Sequence, residues 1–414
     1  MKRTIGFFIL VSLLASPAFA EKLAMPSLAM PTAASNGFGG THVAFTDNVY
    51  ALFVNPAAIM QTQQRSFFTL APTFLNPQRT VALGSAFKGL AQGDTGAFGE
   101  AADTLSKQNG RIALGMELRE FPLSFAWVAN GFGFGVWNRT FVNANIIGTY
   151  VEVHAYEDVV IPIGFAFKIL NLYDHKIDLG LTLKPFARVR AREKEEIIRL
   201  MDDSDDFVDK INVPLIMGAG FDLGLLYRWD KGLQMGLTFD DVFTRGKVAK
   251  NIIGKDGNTY YVPFTMNLGI AYDFRIERFW ESAPSLLSKS GFTLAFDWRD
   301  FTNIFNQDDY KNRNSLLDMG AGFQLSLFDI VKVRIGLSEM LPAFGLGFDL
   351  GPVEIDLAYY GMEFGNEPGQ LSAAAVDLSI AIRPGAKKRN WPWARRSLIG
   401  LFTGVETIDV EEVQ

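Results

Sequence analysis

The feature that most constrains the fold is a strict alternation of apolar residues with polar or small ones. From Ile177 to Val189 every second residue is apolar or proline, and Asp178, Lys184 and Arg188 are among the residues between them. Successive side chains of a β-strand point to opposite faces, so this pattern predicts a long strand with one apolar face. The same alternation recurs at 331–338, 353–360 and 374–383.

Strand length separates the two kinds of β protein that show this alternation. A soluble sandwich with one wet face uses strands of about five or six residues, whereas a tilted strand crossing an outer membrane needs about 9 to 11. The alternating stretches here run to about 14 residues, which favours the membrane barrel. Aromatic residues at the predicted strand ends agree with interfacial girdles. They include Trp127, Trp137, Tyr227, Trp229, Trp298 and Tyr359.

Turn signals allow a count of the strands. Asn130-Gly131 is a two-residue hairpin signal, Asp230-Lys231-Gly232 joins two further strands, and Asp329 separates another pair. We therefore predict an all-β transmembrane antiparallel β-barrel of about 14 strands, within a range of about 12 to 16. Of the loop segments, 96–108 is expected to be a short helix and 192–210 a highly charged helix followed by an acidic loop.

The first twenty residues are typical of a Sec signal peptide. Lys2 and Arg3 form a charged start, an apolar stretch of about ten residues follows, and Ala18-Phe19-Ala20 is a small-x-small cleavage site. The alternative, a retained membrane anchor, would need about 20 apolar residues. The sequence thus predicts an exported chain located in the cell outer membrane.

Composition excludes several classes of function. The chain has no cysteine and three histidines, which excludes a disulfide scaffold, a thiol nucleophile and most metal sites. A pI near 5.3 without a basic block argues against nucleic acid as a partner. The chain also lacks a Gly-x-Ser-x-Gly elbow, a His-Glu-x-x-His motif and a P-loop. We therefore expect neither an enzyme nor a bound cofactor or metal.

The most specific motif precedes the first predicted barrel strand. Residues 35–60 are rich in glycine and nearly uncharged, and contain Asp47-Asn48 followed by Asn55-Pro56-Ala57. This segment resembles the N-terminal segment of the long-chain fatty acid outer-membrane transporter family, the FadL and TodX type. Related barrels of secretion systems carry similar Asn-Pro-Ala segments.

The resemblance implies a domain organisation and a transport function. It implies an N-terminal hatch, with Asp47, Asn48, Asn55, Pro56 and Ala57, that plugs a fourteen-stranded barrel. We expect residues 1–20 to be the signal peptide, 21–65 the hatch, 66–383 the barrel and 384–414 a periplasmic tail. The expected function is uptake of hydrophobic small molecules, above all long-chain fatty acids. The alternative is a hatch-containing barrel that acts as a secretion-system adaptor or a surface adhesin.

In that family the ligand leaves sideways at a kinked strand, and Pro122 marks the corresponding interruption here. Proline cannot donate a hydrogen bond to a sheet, so it belongs at an edge, a bulge or a strand end. We therefore place the lateral opening at Pro122. The alternative is that Pro122 simply begins the next strand after a tight turn.

The expected partners are a fatty acid or other hydrophobic ligand, outer-membrane lipid and the barrel assembly machinery, and the barrel is expected to be monomeric. Candidate ligand-binding residues are Phe38, Phe45, Arg188, Arg190 and Arg334. The guanidinium groups of the three arginines could hold a carboxylate headgroup in a partly dry site. The alternative for these charges is pairing with the acidic residues of the same predicted face, which include Asp178, Asp356 and Asp377.

Overall fold

A computed structural model describes residues 22–66, 68–79, 111–196, 212–278, 280, 288–305 and 313–384. Both terminal segments, 1–20 and 385–414, and the helix predicted at 96–108 lie outside the described residues. Alternating side chains form nineteen strand segments in the described part. They are β1 Lys22–Ala24, β2 Gln64–Ser66, β3 Phe68–Leu75, β4 Arg111–Ala129, β5 Phe132–Ile147, β6 Tyr150–Val160, β7 Ile163–Leu172, β8 His175–Glu196, β9 Val213–Trp229, β10 Leu233–Asp240, β11 Arg245–Ile253, β12 Thr259–Tyr261, β13 Thr265–Arg275, β14 Gly291–Trp298, β15 Met319–Leu327, β16 Val331–Ser338, β17 Leu341–Asp349, β18 Val353–Glu363 and β19 Ser372–Ile382.

Helices are short in the described residues. Two α-helices, α1 Ala33–Gly37 and α2 Ala51–Val54, precede the barrel strands. The 3-10 helices are Pro56–Met60, Ile276–Arg278, Phe301–Phe305 and Ser315–Asp318. No helix in the described part of the chain is long and apolar enough to cross a membrane.

Segments β2 to β19 form one closed antiparallel barrel of 14 strands, as predicted, whereas β1 belongs to the chain before the barrel and pairs in parallel with β12. Four barrel strands are each made of two consecutive segments, namely β2 with β3, β6 with β7, β10 with β11 and β12 with β13. Each barrel strand pairs with the next, and β19 pairs with β3 to close the ring. The predicted turns at 130–131 and 230–232 are present.

The two faces of the strands are those that alternation predicts. On β8, Leu179 and Leu183 point outward and are about two-fifths exposed, whereas Asp178, Thr182 and Lys184 point inward and are buried. Apolar side chains with the same outward orientation continue around the barrel. Examples are Phe165, Phe167, Leu294, Val333, Ile335, Leu337, Phe344, Leu346 and Leu357.

Strand length divides the wall into a tall and a low part. β4 has 19 residues and β8 has 22, but each strand from β14 to β17 has only eight or nine. The helix predicted within 192–210 is wrong for residues 192–196, because β8 continues through Glu196, and residues 197–210 lie outside the described part of the chain. These residues remain paired with β6, and that long-range ladder outweighs the local helix propensity of a charged run.

Residues 22–63, here called the N-terminal segment, lie against inward-facing residues of the barrel wall. Its apolar side chains Met25, Leu28, Leu52 and Phe53 are buried and form one core cluster with wall residues such as Trp137. Predicted as a girdle residue, Trp137 instead points inward and is 1% exposed. Its ring lies 4.9 Å from that of Phe53, edge to face. We call the end of the barrel that carries the turns 130–131, 173–174 and 350–352 the turn end.

Candidate functional site

The Asn55-Pro56-Ala57 motif is the anchor of the N-terminal segment. The Asn55 side chain caps the following 3-10 helix by accepting from the Ala57 backbone N–H at 3.1 Å. Its Nδ2 donates to the Val43 carbonyl oxygen at 2.9 Å. Asn55 is fully buried, and Pro56 occupies the first helical position, where its missing N–H costs nothing. One asparagine therefore joins two turns of the segment that are twelve residues apart.

Glycines of the wall create the space into which this motif fits. A methyl group on Gly180 would lie 2.1 Å from the Pro56 carbonyl carbon, and one on Gly224 would lie 2.2 Å from Asn55 Oδ1. Gly180 and Gly224 are paired neighbours on β8 and β9. Such distances are too short for any side chain on either glycine, so the Pro56 backbone and the Asn55 side chain lie directly against the backbone of the wall.

Glycines on the other side of the barrel receive an earlier part of the segment. A methyl group on Gly322 would lie 2.2 Å from the Phe38 carbonyl oxygen, and one on Gly336 would lie 2.5 Å from the Gly39 nitrogen. Gly322 and Gly336 are paired across β15 and β16. The N-terminal segment therefore touches the wall on β8 and β9 and again on β15 and β16, and it crosses the lumen between them.

The structure separates Asp47 and Asn48, which the sequence placed together. Asn48 Oδ1 accepts from the Tyr50 backbone N–H at 3.0 Å, so Asn48 shapes the turn before α2. Asp47 is exposed and faces a cavity, where its charge acts on Lys332. Asn48 therefore has a structural contact, whereas the Asp47 carboxylate faces the cavity.

Four wall arginines donate to backbone carbonyl oxygens of the N-terminal segment. Arg188 Nη1 donates to the Pro26 oxygen at 2.8 Å, Arg139 to that of Ala29 at 3.2 Å and Arg190 to that of Ala24 at 3.3 Å. Arg119 donates to the Pro31 oxygen. These contacts satisfy peptide groups in an extended stretch that makes few backbone bonds of its own.

Most of the inward-facing charges are paired with each other across neighbouring strands. Arg188 binds Asp158 with both ends of its guanidinium, at 2.5 and 2.6 Å, and both side chains are buried. Arg334 bonds to Asp356 at 2.6 Å and to Gln324 at 2.7 Å. The remaining pairs of this kind include Arg119 with Asp377, and Lys184 with Asp222 and Asp241. Mutual pairing, the alternative left open by the sequence, is thus what the structure shows.

A cavity of about 720 Å³ lies on the turn-end side of the N-terminal segment. Its wall carries basic and acidic side chains in nearly equal numbers. These are Arg275, Lys289, Lys332, Arg334 and Arg383 with Asp47, Asp329, Asp349 and Glu354. A chamber with balanced charges suits water or a polar solute better than an apolar one.

The structure divides the five predicted ligand-binding residues between two places. Phe38, Phe45 and Arg334 line the turn-end cavity, and the two phenyl rings pack edge to face at 6.3 Å. Arg188 and Arg190 instead contact Pro26 and Ala24. They contact the start of the N-terminal segment and are absent from the lining of the cavity.

His42 connects the N-terminal segment to the wall beside the cavity. Its backbone N–H and that of Val43 both donate to Asp297 Oδ2, at 2.6 and 2.9 Å. Burial lowers the pKa of the His42 imidazole to about 4, and the nearby Arg299 guanidinium contributes in the same direction. His42 is therefore neutral at ordinary pH, and its Nδ1 has no hydrogen-bond partner within the described residues.

The interruption predicted at Pro122 is a bulge inside β4. Pairing with β5 jumps from Arg119–Arg139 to Ser124–Trp137, so residues 120–123 lie opposite Asn138 alone. The bulge also changes which residues face inward. On its turn-end side Ala126 and Val128 are buried, and on the other side Glu117 and Arg119 are buried. Pro122 thus lies within one strand and does not begin a new one.

Sequence reasoning missed several residues that the structure brings together. Arg119 and Arg139 complete the row of arginines, and Tyr50 with Glu120 joins the segment to the bulge. The arginines could have been found from inward parity on β4 and β5, had the register been known. No sequence signal connects Tyr50 to Glu120, because they are seventy residues apart.

Comparisons with known proteins found likeness in structure only. No protein-family profile and no curated protein matches the chain. The toluene transporter TodX of Pseudomonas putida is 12% identical, with a TM-score of 0.46 over 88% of this chain and 99% of that one. The CymD monoaromatic hydrocarbon channel is 12% identical, with a TM-score of 0.46 over 86% and 97%. A Pseudomonas aeruginosa FadL homologue is 9% identical, with a TM-score of 0.44 over 87% and 99%.

Proposed function

We propose that this protein is an outer-membrane transporter for hydrophobic small molecules, with long-chain fatty acids as its main solute. The N-terminal segment acts as its hatch, and the bulge at Pro122 is the lateral exit. The observation that carries this proposal is the seating of one segment against wall glycines on opposite sides of the lumen, Gly180 with Gly224 and Gly322 with Gly336.

The outer surface of the barrel supports a location in a membrane. Large apolar side chains point outward all around the ring, and many of them are between two-fifths and three-fifths exposed. In water such a band would be costly at about 25 cal/mol for each Å², but in lipid it is solvated by hydrocarbon. The closed ladder also leaves no strand edge facing lipid over most of the wall.

The filled lumen supports gated passage of a specific solute over open diffusion. A general porin leaves an aqueous channel along the barrel axis. Here Leu28, Leu52, Phe53 and Ile59 of the segment are at most 3% exposed and pack with the wall. A solute that crosses this barrel must either displace the segment or leave through the wall.

Two features support a fatty acid as the solute: the motif in residues 35–60 and the proposed exit through the wall. The resemblance of residues 35–60 to the long-chain fatty acid transporters implies an apolar cargo with a carboxylate head. An exit through the wall delivers a solute into lipid, which suits an apolar molecule because it avoids the aqueous compartment.

The test is uptake of radiolabelled oleate by cells that express the full chain, compared with a variant lacking residues 21–60. We expect saturable uptake with the full chain, and leakage of small polar solutes only in the deletion variant. Absence of oleate uptake, with leakage still confined to the deletion, would retain the hatch but remove the fatty acid. A secretion-system adaptor or an adhesin would then be the better assignment.

A further inference from the structure

The bulge in β4 is a defect in the hydrogen-bonded wall. Besides the jump against β5, the pairing of β4 with the first barrel strand passes from Ala71–Arg119 to Ser66–Ala126. The ladder is therefore irregular on both sides of residues 120–123. Within a membrane, backbone N–H and C=O groups that are not paired in the ladder need other hydrogen-bond partners. One is supplied by Asn138, whose Nδ2 donates to the Phe121 carbonyl oxygen at 2.5 Å.

Two phenyl rings cover the defect on the outer side. Phe121 is 42% exposed and its ring lies 6.3 Å from that of Phe68, at an interplanar angle of 89°. Pro122 beside it is also exposed. The outer cover consists of side chains, which can rotate apart without breaking any backbone hydrogen bond.

Hydrogen bonds to Glu120 from Tyr50, Ser124 and Thr69 close the defect on the inner side. Glu120 points inward, is 2% exposed and has a φ of +69°, in the left-handed region that non-glycine residues seldom adopt. Its carboxylate accepts a hydrogen bond of 2.5 Å from the Tyr50 hydroxyl and one of 3.3 Å from Ser124 Oγ. A strained, buried carboxylate is held in place by its hydrogen bonds.

Tyr50 belongs to the N-terminal segment and not to the wall. Its backbone N–H donates to Asn48 Oδ1, and its carbonyl oxygen accepts from Val54 at the end of α2. Burial raises the pKa of the Tyr50 hydroxyl well above its ordinary value, and Glu120 raises it further, so the hydroxyl keeps its proton. Any displacement of α2 therefore moves the donor away from Glu120.

We propose that Tyr50 and Glu120 are positioning residues that keep a lateral opening at residues 120–123 closed, and that withdrawal of the N-terminal segment releases it. The inference rests on the proposed function and specifies how its exit is controlled. Loss of the Tyr50 hydrogen bond removes the shorter of the two measured bonds to Glu120 and the one that comes from the N-terminal segment, which weakens the hold on its strained conformation. The bulge then relaxes, and the Phe68–Phe121 cover separates toward the lipid.

A cross-linking experiment tests the position of the opening. The chain has no cysteine, so introduced pairs react without background. Phe68→Cys with Phe121→Cys is bridged by a short reducible bifunctional thiol reagent, and oleate uptake is measured before bridging, after bridging and after reduction. The control pair is Leu325→Cys with Val333→Cys, two outward-facing residues in regular register on β15 and β16.

We expect bridging of 68 to 121 to stop uptake reversibly and bridging of 325 to 333 to leave it unchanged. Uptake that continues through the bridged 68–121 variant would overturn the lateral opening while the transport function stands. These outcomes separate failure of the inference from failure of the proposed function.

A second measurement tests the role of Tyr50 without any solute. Ser124→Cys places a thiol beside Glu120 on the inner side, and its rate of labelling by a lipid-soluble maleimide reports access from the membrane. We expect Tyr50→Phe to raise that rate about tenfold, the order expected for loss of one buried hydrogen bond to a charged group. Tyr150→Phe is the control, because the Tyr150 hydroxyl donates to Glu196 at 3.0 Å, away from the bulge. Equal labelling in both variants would overturn the role of Tyr50, whatever the cargo.

Discussion

Pro56 of the N-terminal segment lies directly against Gly180 of β8, at a distance that leaves no room for a Cβ atom on the glycine. The contacting atoms belong to the two backbones, which cannot rotate aside as a flexible side chain can, so the contact restricts where the segment lies against the wall. The fit depends on residues of the wall as much as on the Asn-Pro-Ala motif.

Gly180→Leu should therefore unseat the segment while the barrel still forms, because the other face of β8 is unchanged. We expect conductance in planar bilayers to rise from that of the parent toward that of the 21–60 deletion. Gly257→Ala is the control, since a Cβ atom at Gly257 meets no atom within 4 Å. Parent-like conductance of Gly180→Leu would show that the segment does not need this contact.

Asn55→Ala should loosen the segment without removing it. The substitution removes the cap on the Ala57 N–H and leaves the buried Val43 carbonyl oxygen without its 2.9 Å donor, a combined cost of about 1–3 kcal/mol. Limited proteolysis should cut residues 40–60 faster in this variant. Asn48→Ala, which loses only its bond to the Tyr50 N–H, should be cut more slowly than Asn55→Ala. Equal rates would contradict the anchoring role of Asn55.

Arg188→Met should destabilise the barrel, because it leaves the carboxylate of Asp158 buried and without its cation. The expected cost is about 3–5 kcal/mol, and Arg188→Met with Asp158→Leu should recover most of it. The exposed pair of Arg192 with Glu152 supplies the control, and Arg192→Met should cost less than about 1 kcal/mol. Thermal unfolding in detergent measures all three variants. A variant that unfolds like the parent but binds oleate more weakly would instead make Arg188 a ligand residue.

His42 should make the seating of the N-terminal segment sensitive to acid. Its pKa is about 4 in the folded protein and near 6.5 when unfolded. The unfolded state therefore takes up a proton first as pH falls, so stability is lost between about pH 6.5 and pH 4 and changes no further below that. Protonation of His42 lowers the free energy of unfolding by at most about 3 kcal/mol.

His42→Gln removes this proton uptake and should flatten that part of the stability profile. The measurement is the difference in unfolding midpoint between parent and variant at pH 7 and pH 4, since the carboxylates titrate in both proteins. A difference that is the same at the two pH values would show that His42 is not buried as described.

Sequence alone determined the class of the fold and the orientation of most side chains. Alternation from Ile177 to Val189 fixed which residues of β8 face lipid, because side chains of a strand can point only to two sides. The stretch from Asn55 to Ala57 carries its own conformation, since asparagine caps a turn and proline fixes φ locally. These properties depend on neighbours in the chain and can be predicted without the tertiary structure.

Tertiary structure alone decided which inward residues meet. Trp137 is of a residue type that is common in interfacial girdles, but its side chain points into the barrel. The bulge at 120–123 and the register of β4 with β5 set which face of the wall this side chain is on. Arg188 found its partner in Asp158, thirty residues away, and the Tyr50 hydroxyl found Glu120. A shift of one residue in register moves every side chain of a strand to the opposite face of the sheet. These pairings therefore follow from the closed hydrogen-bonded ladder and not from local sequence.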